Sequence, residues 1–480
     1  MKDFLERALN LAALHGAHYA DIRIVEKRNE FIQIKNGLPE SMKNFTTYGF
    51  GVRVLVDGAW GFSSSSEVNY AELERVAKLA IEIAKASALI QKTKVDLGPA
   101  VTSTGVYRTP VKIDPFDVPL EDKLAVLYKA DAELAKEPGV KIRSSQFMFQ
   151  KEHKWFANSE GAMTEQTIIE TGAGITAWAV GGGEVQVRSY PNSFGRNQVT
   201  GGWEIVEQWD LPGNAPRVAS EAVALLTADP CPKDIITDII IGGSQLALQI
   251  HESCGHPTEL DRVLGSEISM AGGSFLMPDK LDTFYYGSPV VNLTADSVRP
   301  LGLGTFGWDD EGVPAQSNFL VKEGLFVGYL MSRETASQIG RVSNGCARAM
   351  DWSRIPIVRM VNVNLEPGEW KLDDLIADTE DGIFIDTNRS WSIDDRRYNF
   401  QFGTEIGYEI KNGKLGRMLR NPTYTGITPQ FWNSCDAVCN QDHWQMWGTP
   451  NCGKGEPGQE MHTGHGAAPA RFRKIKVGVF

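Results

Sequence analysis

An α+β fold is predicted, with an N-terminal α/β-sandwich-like domain followed by a β-rich, barrel-like C-terminal domain. Three observations predict it. Helical spacing and strand alternation take turns through the first two hundred residues. Short apolar strands separated by Gly, Pro and Asn turns dominate after residue 280. Between these regions Asp210-Leu211-Pro212-Gly213-Asn214-Ala215-Pro216 reads as a breaker near a boundary, which divides the chain into 1–228 and 229–480.

The elements follow in order. Phe4, Leu5, Ala8, Leu9 and Ala12 recur at helical spacing among charges, so residues 1–15 form an amphipathic helix. Strands are expected at 21–25 and 30–34, with Asn36-Gly37 as a turn, and at 51–56, ending at Asp57-Gly58. A helix at 67–88 carries Leu73, Val76, Ala77, Ala80, Ile81 and Ala84 on one face. A second helix-then-strands passage starts near Leu120 and runs through 142–143 and 155–161, resembling the first in its order of elements. A short helix at 217–227 precedes the apolar strand 235–241, and Ser244 is a candidate N-cap for the segment entering His251. The tail Arg471-Phe472-Arg473-Lys474-Ile475-Lys476 alternates as a solvated edge strand would.

Composition narrows the function. Across 480 residues, 42% are hydrophobic and 22% charged, as in an ordinary globular protein. The net charge of −12 argues against a general nucleic-acid or anionic-membrane binder. No apolar run reaches the ~18 residues of a membrane span. The N-terminus lacks the apolar core of a signal peptide, so the cytoplasm is the expected compartment. There the six cysteines are expected to be thiols or metal ligands.

The motif His251-Glu252-Ser253-Cys254-Gly255-His256 carries the chemistry. In a regular α-helix, positions i and i+4 lie ~40° apart and face one ion, whereas i and i+5 lie ~140° apart. Two histidines at i and i+5 therefore need a distorted or terminating helix, and a widened turn with i→i+5 hydrogen bonding is one way to bring them together. Gly255 and Pro257 permit that departure. Glu252, beside one histidine, is suited to take a proton from an activated water. A third ligand is required, and spacing leaves it open among Cys254, Glu259, Asp261, Cys346, Cys435, Cys439, His443, Cys452, His462 and His465. Cys435-x3-Cys439 with His462-x2-His465 offers a second, structural zinc arrangement, disfavoured because its histidine spacing is tighter than the usual x3–5. Aromatics of the Trp- and Cys-rich stretch 431–448 are expected in packing or a pocket wall.

These residues resemble the TldD/PmbA family of metallopeptidases, once described as modulators of DNA gyrase. The resemblance includes "LALQIHESCGHPTELD" (246–261), "TFGWDDEGVPAQSNFLVKEGLFVGYL" (305–330), "SNGCAR" (343–348), "PIVRMVNVNLEPG" (356–368), "TPNCGKGEPGQ" (449–459), the closing "RKIKVGVF" and, near the start, "GAHYADIRI" (16–24). It implies a TldD-like catalytic subunit with a zinc-carrying C-terminal domain. It implies His251, His256 and Cys452 as metal ligands and Glu252 as the base. It also implies a dimer, either of identical chains or with a related subunit that lacks the motif, and unfolded peptides or small partly folded proteins as substrates. The expected function is zinc-dependent peptide hydrolysis. The alternatives are a non-catalytic zinc-containing interaction or regulatory protein and a DNA-associated regulator. No direct nucleic-acid binding is expected.

Overall fold

The computed structural model describes residues 1–478; Val479 and Phe480, which close the "RKIKVGVF" stretch, lie outside the described residues. The chain opens with helix α1 (Lys2–Leu14), strands β1 (Tyr19–Lys35), β2 (Leu38–Val56) and β3 (Ala59–Ser65), and helix α2 (Tyr70–Ala88). After a short strand, β4 (Thr104–Arg108), the order recurs in α3 (Leu120–Ala135), β5 (Val140–Asn158), β6 (Met163–Gly181) and β7 (Glu184–Tyr190). Strand β8 (Asn197–Thr200) and helices α4 (Glu204–Trp209) and α5 (Leu211–Ala224) complete it. The two runs join through the antiparallel pair β1–β5, giving the sheet order β3-β2-β1-β5-β6-β4, with β7 and β8 also on β6.

Local chemistry accounts for these elements. Asn36 and Gly37 both adopt positive φ, which is what a tight β-hairpin turn demands between β1 and β2. Asn69 caps α2 by accepting a 2.9 Å hydrogen bond from Glu72 N. The apolar faces of α1 and α2 close over Ile22, Ile24, Phe50 and Val52. Those of α3 and α5 close over Phe147, Phe149, Ala173 and Ile175. The strands expected at 21–25 and 30–34 are one strand, because β1 is paired on both sides through its polar middle and the ladders satisfy the backbone there.

The second half begins with β9 (Asp229–Pro230), β10 (Ile235–Ile241) and helix α6 (Gly243–Ile250). Strands β11 (Leu293–Asp296), β12 (Ser317–Lys322) and β13 (Leu325–Phe326) follow, then β14 (Ala347–Arg348), β15 (Ile357–Val358) and β16 (Val363–Leu365). The chain continues as β17 (Asp381–Ile393), β18 (Asn399–Lys411), β19 (Lys414–Arg420), β20 (Thr423–Ile427) and β21 (Cys435–Val438), and ends in β22 (Gln445–Lys454), β23 (Gln459–Ala467) and β24 (Ala470–Val477). Strands β17, β10, β24, β20 and β18 pair in that order, and β17 also pairs with β18, so the five close into a barrel. A four-stranded sheet, β13-β12-β11-β16, and the separate hairpin β22–β23 stand beside it. The fold is α+β, with the barrel in the C-terminal half.

Three local expectations are corrected. Residues 211–216 do not break the chain: they open α5, where Pro212 occupies the first turn and Asp210 caps it through Gly213 N. Ser244 is not the cap of α6, because Gly242 holds that position and Ser244 Oγ bonds Asn192 Oδ1 at 2.7 Å. The basic tail is not an edge strand. β24 lies inside the barrel between β10 and β20, and its arginines reach carboxylates, as Arg471 does at Asp436 and Asp378.

Candidate metal centre

Strand β10 delivers the chain into α6, and α6 widens at His251. Residues His251–Gly255 form a π turn, and His256 N donates to His251 O, five residues back. This is the i→i+5 turn that accommodates the extra residue. It brings the two imidazoles to a centroid separation of 4.8 Å, nearly perpendicular. Gly255 lets Met360 pack closely, since a Cβ there would displace the Met360 thioether. The back of the turn is held by a polar seam. Trp432 Nε1 donates to Ser253 Oγ at 3.0 Å, Ser253 Oγ donates to Gln249 O at 2.6 Å, and Tyr286 OH donates to Ser253 O at 2.5 Å.

The remaining donor arrives from β22. His251, His256 and Cys452 are all buried, and their ligand atoms lie within 4.8 Å of one another. Cys452 Sγ is 3.7 Å from His256 Nε2. Backbone placement of Cys452 comes from Arg359, whose Nη2 donates to Cys452 O at 2.5 Å. Burial acts to raise the Cys452 thiol, but the Arg359 guanidinium and His256 outweigh it and hold the thiol below its ordinary range.

Hydrogen-bond partners assign the imidazole tautomers. His465 Nδ1 lies 3.1 Å from Val363 O, and its Nε2 lies 2.8 Å from His251 Nδ1. A carbonyl only accepts, so His465 carries its proton on Nδ1 and accepts at Nε2 from His251 Nδ1–H. His251 Nε2 is left with its lone pair. His256 Nδ1 faces Glu259 Oε2 at 2.8 Å, which likewise frees His256 Nε2. Burial pulls both imidazoles below their usual pKa, and His465 well below, so all three are neutral near pH 7. Two neutral imidazole nitrogens and an acidified thiol form a donor set that fits zinc.

The centre lines a cavity of about 240 Å³ whose wall includes Glu252, Arg397, Arg196, Trp391 and the 448–453 strand. Glu252 Oε2 accepts from Arg397 Nη1 at 2.7 Å. A larger cavity, about 350 Å³, lies between the first sheet and segments around Phe306 and His462, and holds none of the three ligands.

The other candidates lie elsewhere. Cys254 is in the apolar core, bonded by Tyr286 OH at 3.1 Å, and burial pushes its thiol up to about 12. Glu259 and His465 stand behind the histidines as hydrogen-bond partners. Asp261 pairs with Lys454 at 2.6 Å, and His443 Nε2 accepts from Leu372 N at 3.2 Å. Cys346, Cys435 and Cys439 are buried thiols raised by desolvation. His462 turns toward Glu170, 2.6 Å away in the larger cavity. The second zinc arrangement of Cys435, Cys439, His462 and His465 is therefore not assembled; among the described residues the one ligand group of this kind is His251, His256 and Cys452. Phe431 and Trp432 of the 431–448 stretch are core packing. Arg397 and Arg359 escaped the sequence reading because neither belongs to a motif with its own chemistry.

The family description "PmbA/TldA metallopeptidase C-terminal domain" matches residues 236–478, with the family's domain 1 at 20–84 and its central domain at 113–228. A metalloprotease of Methanocaldococcus jannaschii is 30% identical, with 95% of this chain and 96% of that protein covered. One from Methanothermobacter thermautotrophicus is 29% identical, with 96% and 95% covered. A Saccharolobus solfataricus protein named zinc metalloprotease TldD homolog is 22% identical, with 96% and 97% covered. The crystal structure of TldE from Thermococcus kodakarensis superposes with a TM-score of 0.75 at 16% identity, covering 99% of this chain and all of that one, which is a likeness of fold.

Proposed function

The chain belongs to the PmbA/TldA metallopeptidase family, and from that premise we propose that it is a zinc-dependent peptidase acting on unfolded peptides or small partly folded proteins. The observation that carries the proposal is the convergence of His251, His256 and Cys452 beside Glu252 on one cleft. His251 and His256 would hold the ion through Nε2 and Cys452 through Sγ. When bound there, zinc supplies Lewis acidity, polarising the scissile carbonyl and lowering the pKa of a water. Glu252 accepts the water's proton at a carboxylate oxygen and returns it to the departing amine. Arg397 holds that carboxylate in place through Oε2. His465 and Glu259 keep the histidines in the tautomers that ligation needs.

Three protein donors on a cleft, with no fourth among the described residues, favour this reading over a closed structural site in an interaction protein. We take 1–228 and 229–480 as the two units, the second carrying the zinc. The working form is a dimer, of this chain or with a motif-lacking relative, and light scattering should give about twice the 52.9 kDa chain mass. No described helix is long and apolar enough to cross a membrane. All six cysteines are free, which suits the reducing cytoplasm.

Glu252→Gln tests the mechanism. The variant should keep its zinc and cut unstructured peptides at least about 100-fold more slowly, the range of general acid–base catalysis. Cleavage at the wild-type rate would remove Glu252 from the proton transfer.

A further inference from the structure

Outside the ligand set, the cleft carries two guanidinium groups against one carboxylate. Apart from the ligand set, its charged lining residues are Arg196, Arg397 and Glu252. Arg397 is committed, with Nη1 2.7 Å from Glu252 Oε2. Arg196 is not. Among the described residues its guanidinium has no hydrogen-bond or ion-pair partner, although it lies half-buried in the cleft wall. Its position is built by close packing. At Gly174 any Cβ would collide with the backbone of Gly195 and Arg196, and Gly195 adopts positive φ where a side chain would strike Thr176. The segment carrying Arg196 is thus pressed onto β6.

A guanidinium stays charged at neutral pH, and removing it from water without an anion is unfavourable. Its planar fork matches a carboxylate through two parallel hydrogen bonds. A divalent ion on the ligands would raise the positive potential of the same small cavity and add to the attraction for an anionic group. Cavity size confines that group to the neighbourhood of the ion.

We propose that Arg196 is a carboxylate-binding subsite of the metal cleft, so that the preferred substrates are peptides bearing a carboxylate close to the scissile bond, as a free C-terminus or an acidic side chain. This rests on the peptidase reading of the cleft. Arg196 and Glu252 line the same cavity, and Glu252 is held by Arg397, so the two arginines have separate tasks.

The test uses the zinc-loaded full chain and two peptide pairs of one sequence. One pair compares the free C-terminal acid with the amide, and the other compares Glu with Gln beside the cleavage site. Rates are read as kcat/KM, and binding to the same protein is read by calorimetry. The carboxylate form should be favoured about tenfold or more in one pair, as a charged hydrogen bond predicts. The pair that carries the preference identifies the source of the carboxylate. In Arg196→Gln the ratio should fall toward one, whatever happens to the absolute rate. Should that variant lose its zinc, Arg196→Met, which keeps the apolar stem, reads the same ratio. Equal binding of both forms to the wild type, or a preference undiminished in both variants, overturns the proposal. Peptides bound with the carboxylate preference but never cut would instead overturn the peptidase reading and leave the subsite standing.

Discussion

Between the first sheet and the C-terminal half, Arg23, Lys27, Glu152, Lys154 and Asp310 are buried or half-buried, and each lies within 3.7 Å of an opposite charge. At the metal centre His251, His256 and Cys452 are equally buried, yet they turn unshared lone pairs toward one another. In the first region the charges satisfy each other. Lys154 sits 3.1 Å from Glu152 and 2.7 Å from Asp310, and that network ties β1 and β5 to the loop after Phe306. In the second region the partners lie behind the ligands, at His465, Glu259 and Arg359, and fix which atom faces inward. Burial alone therefore does not mark a functional site. Unshared donor atoms whose opposite sides are already bonded do.

The largest effect should come from breaking the ligand set. Cys452→Ser should lose nearly all bound zinc and peptide hydrolysis, because a hydroxyl is a poor substitute for thiolate. Cys254→Ser, altered in the apolar core beside Tyr286, should keep its zinc. Zinc content per chain separates the two, and the reverse pattern would move the third donor into the histidine segment.

A smaller effect should follow from breaking the paired network. Asp310→Asn leaves Arg23 and Lys154 short of an anion and should destabilise the fold by about 3 kcal/mol, while the folded protein keeps its zinc. Urea unfolding at saturating zinc measures this. The wild-type pH dependence carries the same sign. Burial works to raise the Asp310 carboxyl, but Lys154 and Arg23 outweigh it and hold it below its ordinary 3.8. A depressed carboxyl stabilises above its unfolded pKa, so this contribution is present above about pH 4 and fades as the pH falls through the folded value. Asp310→Asn should flatten that acid limb. An unchanged limb would mean that the network contributes nothing to folding.

The smallest effect sharpens the comparison at the second layer of the metal centre. His465→Ala removes the acceptor for His251 Nδ1–H and should weaken zinc about 10- to 100-fold in a chelator competition. His465→Gln, which restores an acceptor, should recover part of the loss. Equal affinity in wild type and both variants would show that His251 needs no help to present Nε2.

Much of the architecture was legible along the chain. Helical spacing located α1, α2 and α3, and the recurring order of elements appears as two structurally similar runs joined at β1–β5. Misreadings came where local signals carry no tertiary information. Pro212 and Pro216 look like breakers, but Pro212 falls in the first helical turn, where Pro is tolerated, and the helix runs on through Pro216 inside it. Alternation in 471–476 correctly signals a strand, while a period of two cannot say whether the strand is central or at an edge.

By itself the sequence determined the parts whose geometry is local: two histidines five apart, the departure from a regular helix they require, the glycine that permits it, and a carboxylate beside the first histidine. Spacing left ten candidate groups open and only the resemblance pointed to Cys452; tertiary structure brings Cys452 to those histidines and alone decided which proton each imidazole carries and where Arg397 and Arg196 stand in the cleft. The reason is range. Backbone geometry fixes neighbours within a turn of helix, whereas Cys452 reaches His256 across nearly two hundred residues only because the β22–β23 hairpin lies against α6 and its π turn.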